Sequence, residues 1–410
     1  MRIAVICNDT RGGVQPYVAL AQGLQRAGHD VRATAPSELA WLFAGAGIPV
    51  TLVGAAQEAA RRAAAQIADQ GAAAIRRTGR GPESHIRALA QEILDACAGA
   101  DLLTGGIGGM IAGLAVAERL HVPFVETHLH PIGGVSAAYP GVLAPWVPAS
   151  LGSPGRRFSH HLSERMLWTP FKPAMAAARE ALGLHGAPRA AATQPVLYGF
   201  SRHVLDAPVR GDGRASVVTG YWTLPPAPDW SPPAGLESFL ASDGPVVSIG
   251  FGSMGNADPE AATALVLGAV HDAGVRAVLL TGGRGLLPKT STDRVFFAES
   301  VPHEWLLPRV TATVHHGGAG ATGAALRAGV PAIVVPFGVD QPFWGARVAA
   351  LGAGPPPIPR KSLTRQRLAA ALRLAVTDAA MRERAARLGA LIRAEDGVTV
   401  ASRHFDRLAA

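Results

Sequence analysis

The chain predicts two α/β domains, each a parallel sheet wrapped by helices. Three observations carry this expectation. At 410 residues the chain exceeds what one hydrophobic core usually covers. Both halves alternate short apolar runs with alanine-rich segments of helix length, the pattern of a parallel sheet with helices on its faces. A proline-rich break lies between the halves. A composition of 48% hydrophobic and 17% charged residues suits a compact globular protein and argues against long disorder.

The first half opens with RIAVIC at 2–7, a continuous apolar run read as a core strand. One basic residue followed by a five-residue apolar run is too short for a signal peptide or a membrane span. A glycine turn follows, then a helical pattern from Pro16 to about Ala27 with Val18, Leu20, Ala21 and Leu24 on one side. DVRATA, IPVTLV, ADLLT and VPFVETHL continue as strands, giving a first domain over 1–215. Between 216 and 244 the alternation stops. Pro225, Pro226, Pro228, Pro232 and Pro233 exclude a helix or central strand there, so the segment is read as a stiff connector. PVVSIGFGS, VRAVLLTGG, RVFFAES, VTATVHH and PAIVVPF restart the alternation as a second domain over 245–390. Residues 391–410 form a last helix that periodicity alone cannot place.

Net charge is +8, carried mostly by arginines spread along amphipathic helices with no basic run interleaved with aromatics. That distribution excludes nucleic acid as the expected partner, while a positive field favours an anionic ligand. Cys7 and Cys97 are the only cysteines, too few for a disulfide framework or a zinc spacing, which fits a reducing, cytoplasmic setting.

The most informative stretch is HHGGAGATGAALRAGVPAIVVPFGVDQ at 315–341. A strand, a glycine turn and a helix N-terminus place unpaired backbone N–H groups and the positive end of a helix dipole toward an anion. His316 adds a donor for phosphate, and Asp340 and Gln341 suit a polyhydroxylated group, so together they point to a nucleotide-sugar. GFGS at 250–253 is a second such turn, in which Ser253 is a candidate phosphate contact. Alone it reads first as a tight structural turn, and it gains weight from the other turn at 317–320 in the same domain. TGGIGGM at 104–110 lacks the G-x-G-x-x-G spacing of a dinucleotide site. His315 and His316 are adjacent on a strand and face opposite ways, one to the core and one to ligand. His128 and His130 share a face and stand as metal ligands, as a base or as lining of a cleft. Trp305 is either a core aromatic or a platform for a base ring.

NDTRGGVQPYVALAQGLQRAGHDV, LYGFSRHVL, VTGYW, VSIGFGSM, VPHEWLLPRVTATVHHGGAGATGAALRAGVPAIVVPF and GVDQPFWGARVAALGAGP occur in family order along nearly the whole chain. On these motifs the chain resembles two-domain GT-B glycosyltransferases, in the branch of sterol glucosyltransferases and antibiotic (glycopeptide- and macrolide-type) glycosyltransferases. The resemblance implies two Rossmann-like domains with parallel sheets facing across a cleft, the second binding the nucleotide-sugar and the first the acceptor. It implies that Trp305 holds the base, that Ser253, His316, Gly318, Gly320 and Thr322 cradle the diphosphate, and that Asp340 and Gln341 hold sugar hydroxyls. Arg11 and Gly12, in the N-terminal loop, are carried as further donor contacts. Transfer with inversion, no metal and no cofactor besides the donor are also implied.

The chain departs from the family pattern in that loop. The family reads GSRGDVQP, with a candidate basic aspartate before Val-Gln-Pro, and macrolide enzymes put a histidine two residues earlier. Here those positions hold Gly13 and Arg11, neither of which can accept a proton at neutral pH. Ala321 also stands where a threonine is common. Asp9, four residues before the usual position, is the leading candidate base, followed by His128 or His130. The expectation is an inverting, metal-independent transferase moving a sugar from a UDP- or TDP-donor to a hydroxyl or amine of a lipophilic molecule. Trp146, Phe158 and Trp168, with Phe171, are candidates for a greasy acceptor lip, and peripheral membrane contact is an accompanying expectation. The missing aspartate keeps open a noncatalytic nucleotide-sugar-binding protein, and the fold keeps open a nucleotide-sugar epimerase.

Overall fold

A computed structural model describes residues 1–54, 83–186, 194–252, 254–256, 258–283 and 285–409. These residues form two compact units. The first contains the described residues up to Leu224 and from Glu395 onwards, and the second spans Pro225–Ala394.

The first unit alternates β1 (Arg2–Ile6), α1 (Arg11–Arg26), β2 (Asp30–Ala35), α2 (Ala40–Ala44), β3 (Val50–Leu52), α3 (Glu83–Ala96), β4 (Leu102–Gly105), α4 (Ile107–Leu120) and β5 (Phe124–His128). It continues with α5 (Gly152–Trp168), α6 (Lys172–Ala181), β6 (Val196–Tyr198) and β7 (Ser216–Val218). The strands lie parallel in the order β3-β2-β1-β4-β5-β6-β7. Ile3, Val5 and Leu102 are buried on one face of the sheet under α1, while Ala4, Ile6 and Leu103 are buried on the other under α3, α4 and α6. Burial on both faces is what a continuous apolar run such as RIAVI requires.

The second unit holds α7 (Leu236–Ala241), β8 (Val246–Gly250), α8 (Pro259–Ala273), β9 (Arg276–Leu280), β10 (Val295–Ala298), α9 (His303–Leu306) and β11 (Ala312–His315). After these come α10 (Ala319–Ala328), β12 (Ala332–Val334), α11 (Gln341–Ala350), α12 (Arg365–Thr377) and α13 (Ala379–Arg393). Its parallel sheet runs β10-β9-β8-β11-β12.

Three boundaries differ from the sequence expectation. Helix α1 begins at Arg11, not Pro16, and Pro16 sits inside it. A proline there gives up the bond that its N–H would make to the carbonyl of Gly12 and crowds that carbonyl, a local effect near the helix start. The expected connector from 216 begins instead as β7, because the prolines start only at 225 and Ser216–Val218 is free to pair with β6. The unit boundary therefore falls after Leu224. The last helix, α14 (Gly397–Ala409), belongs to the first unit. It packs on α1, with Ala401 and Phe405 fully buried in the core beneath it and Asp406 paired with His29 at 2.9 Å.

Candidate functional site

In an open parallel sheet the strand order reverses at one point, and the loops at the carboxyl ends of the strands diverge there to leave a crevice. Each unit has such a point. In the second it lies between β8 and β11, whose following loops are Phe251–Gly252 and His316–Gly318.

These two loops close on one imidazole. A Cβ on Gly252, whose φ is +59°, would lie 2.8 Å from His316 Cε1, and one on Gly318 would lie 2.6 Å from Nε2. Only glycine at both positions lets the ring sit between the two turns. His315, by contrast, is buried, and its Nδ1 accepts the Gly317 N–H at 3.0 Å, which shapes the turn from behind. The two histidines thus divide as adjacent strand residues must. Burial lowers the pKa of His316, with the charge of Asp340 opposing, so the ring is neutral at pH 7 and has one N–H to give.

Helix α10 starts here. Gly318 is its N-cap, with no side-chain cap and no acidic residue in the first turn, so its leading N–H groups lack intrahelical partners. His316 Nδ1 and Thr322 Oγ1 are buried with no hydrogen-bond partner among the described residues. A helix terminus together with buried, unsatisfied polar side chains has the chemistry of a phosphate cradle. Gly320 is exposed on the same first turn. Ser253 lies outside the described residues.

At the far end of the turn, Val339 has φ +58°, a left-handed conformation unfavourable for a β-branched residue. It is followed by Asp340, the N-cap residue of α11, which makes no side-chain cap bond. The Gln341 amide is engaged in the loop itself. Its Oε1 accepts from Phe337 N–H at 2.7 Å and Gly338 N–H at 3.3 Å, while Nε2 donates to Met254 Sδ at 3.4 Å. The structure therefore gives Gln341 the task of holding the loop that presents Asp340. Trp305 on α9 is half-buried, with Arg309 stacked 4.4 Å from its ring centre and Trp230 edge-on at 5.3 Å. Trp230 falls in the segment expected as connector. α9 packs against α10, to which the Glu304–Arg327 ion pair also ties it.

In the first unit the switch point lies between β1 and β4. A narrow pocket there is bounded by Asp9, Gly13, Tyr17, His128 and His130. Asp9 is exposed and its Oδ1 accepts the Thr10 N–H at 2.6 Å. His128 is 2% exposed; its Nδ1 is buried without a partner among the described residues, and its Nε2 lies 3.4 Å from Glu126 Oε2. Glu126 in turn pairs with Arg214 at 2.7 Å, and Arg214 with Asp212 at 2.9 Å. Burial works against ionisation of Glu126, yet His128 and Arg214 outweigh it and hold the carboxyl below its ordinary range. Sequence reasoning missed this buried chain because Glu126 and Arg214 are 88 positions apart and β5, β6 and β7 must pair before they meet. Arg11 and Gly12 open α1, and Arg11 lies over the Trp41 ring at 5.5 Å.

Of the expected acceptor lip, Trp146 and Phe158 are 65% and 60% exposed. Trp168 packs on its own domain core, meets Phe171 edge-on, and donates Nε1–H to Glu164 at 2.8 Å.

Known proteins share this architecture along the whole chain. Solved structures of the glycosyltransferase SnogD from Streptomyces nogalater (TM-score 0.65, 23% identity, 100% of this chain and 99% of that one) and of spinosyn rhamnosyltransferase SpnG (TM-score 0.66, 21% identity, 99% and 100%) superpose on it. The fold is GT-B. A Streptomyces sp. SF2575 glycosyltransferase, SsfS6, solved in complex with thymidine diphosphate, shares that GT-B fold at TM-score 0.65 and 20% identity, covering 99% of both chains. Residues 259–398 match the family described as erythromycin biosynthesis protein CIII-like, C-terminal domain. In sequence the chain is similar to sterol 3-beta-glucosyltransferases of Cryptococcus neoformans var. neoformans serotype D (34% identity over 97% of this chain) and Emericella nidulans (33% over 98%). The chain spans 26% and 29% of the length of those two relatives. The resemblance read from the motifs is thus met in sequence by the sterol glucosyltransferases and the erythromycin biosynthesis family, and the solved structures share the fold.

Proposed function

We propose that this chain is a glycosyltransferase that moves a sugar from a UDP- or TDP-donor to a hydroxyl or amine of a lipophilic small molecule, with inversion and without a metal. The observation that carries the reading is the second-domain cradle, where the His316 ring is held between two glycine turns at the uncapped N-terminus of α10, with Thr322 Oγ1 unsatisfied beside it. In displacement at the anomeric carbon, the acceptor oxygen forms a bond to C1 as the C1–O bond to the diphosphate breaks, and the electron pair leaves with the diphosphate. Backbone N–H groups, the helix dipole and the His316 N–H stabilise the charge that develops there, the task a metal ion performs in other transferases. The acceptor proton passes to the carboxylate of Asp9, in the first-domain pocket. An amine acceptor would depend less on that base.

The deciding experiment incubates the purified chain with UDP-glucose or a TDP-sugar and a panel of sterol, polyketide and aminoglycoside acceptors, read by mass spectrometry with and without EDTA. Transfer to a sterol or polyketide, undiminished by chelator, is expected. Transfer only to hydrophilic acceptors would overturn the acceptor class, and loss of turnover in EDTA the metal-free mechanism. Donor binding with neither transfer nor slow donor hydrolysis would favour a noncatalytic nucleotide-sugar-binding protein. Interconversion of free donor would favour an epimerase.

A further inference from the structure

Gly13 lies in the first turn of α1, and an added Cβ would fall 2.4 Å from Asp9 Cγ, 2.6 Å from Oδ2 and 2.8 Å from Oδ1. The three nearest atoms it would meet outside the helix's own backbone thus all belong to the Asp9 carboxylate. The side-chain space of position 13 is therefore filled by the carboxylate of residue 9, which reaches it from the preceding loop. Both residues border the pocket that also holds His128. Gly13 does not have the left-handed backbone that would require glycine, so its lack of a side chain is explained by the occupied space.

We infer that Asp9 and Gly13 form an exchange pair: the chain supplies its general base from position 9 into the space of a residue-13 side chain, and Gly13 is the positioning residue that keeps this space open. The inference rests on the proposed role of Asp9 as base. Its physical consequence is specific. The nearest atoms a methyl group at 13 meets are the far end of a flexible side chain, so the carboxylate yields and the fold does not. Alanine is also the better helix former at an ordinary helical position. Gly13→Ala should fold at least as well as the parent and yet displace the base.

The test compares four proteins on whichever panel acceptor the parent chain glycosylates. Asp9→Asn should lower kcat by about 10² to 10⁴ with donor KM kept. Gly13→Ala should lower kcat at least tenfold with an unchanged or raised Tm, and its crystal structure should show the Asp9 carboxylate moved out of the residue-13 space. The exchanged variant, Asp9→Gly with Gly13→Asp, returns a carboxylate to the same space from the other side. It should recover turnover and the acid limb of the pH–rate profile that Asp9→Asn lacks, which a merely structural cap would not do. Asp9→Asn at full turnover would overturn the base reading itself. Asp9→Asn impaired beside a fully active Gly13→Ala would leave that reading and overturn the exchange pair.

Discussion

The two histidines at 315 and 316, the last residue of β11 and the one after it, show how adjacent residues of one type take different work by facing opposite ways. His315 is buried as an acceptor for the Gly317 N–H, and burial lowers its pKa from 6.5 to about 3. The folded value lies below the unfolded one, so between them the unfolded chain binds the additional proton. The stability from the neutral ring is complete above about pH 6.5 and is lost as pH falls toward 3. His315→Gln keeps an acceptor and does not titrate. Between pH 7 and 5 the parent Tm should fall more steeply than that of the variant, and parallel curves would contradict a buried neutral His315. The glycine turn and the helix start at 317–320 were legible from glycine spacing after a strand, whereas phosphate roles for Gly318, Gly320 and Thr322 are what the family resemblance implies. The Val339 conformation and the engagement of the Gln341 amide were not, because both depend on how the 337–341 loop closes on itself and on Met254.

At the scale of elements, the alternation of apolar runs predicted the five strands of the second sheet and β1 to β5 of the first, with their parallel sense, but not the short β6 and β7. Helix α14 was legible as an amphipathic helix without a place. Its pattern shows that one face must be covered, but the partner is α1, nearly 400 residues earlier in the chain. Phe405 is fully buried there. Phe405→Ala should destabilise the first unit by about 3 to 5 kcal/mol in urea unfolding. A loss under about 1 kcal/mol would mean that α14 is not part of that core. The Glu126–His128–Arg214 chain was illegible for a related reason, since it is assembled by the β5-β6-β7 pairing across residues with no periodic signature.

Across the whole molecule, two sheets of the same winding each present a crevice at the strand-order reversal, and each crevice carries different chemistry. The first gathers a carboxylate and a buried histidine. The second gathers backbone donors, a neutral imidazole and a buried hydroxyl. A net charge of +8 with no basic run favours an anionic ligand in general. No helix among the described residues is long and apolar enough to cross a membrane.

The central claim, that the turn at 315–318 holds the donor diphosphate, is tested most directly by calorimetric titration of UDP and TDP into the parent chain, His316→Ala and Asp9→Asn. A hydrogen bond to a charged phosphate contributes about 1.5 to 3 kcal/mol, so His316→Ala should weaken nucleotide binding about ten- to a hundredfold. Asp9→Asn should bind as tightly as the parent. Equal affinity in the parent and His316→Ala, or no binding of either nucleotide by the parent, would contradict the account.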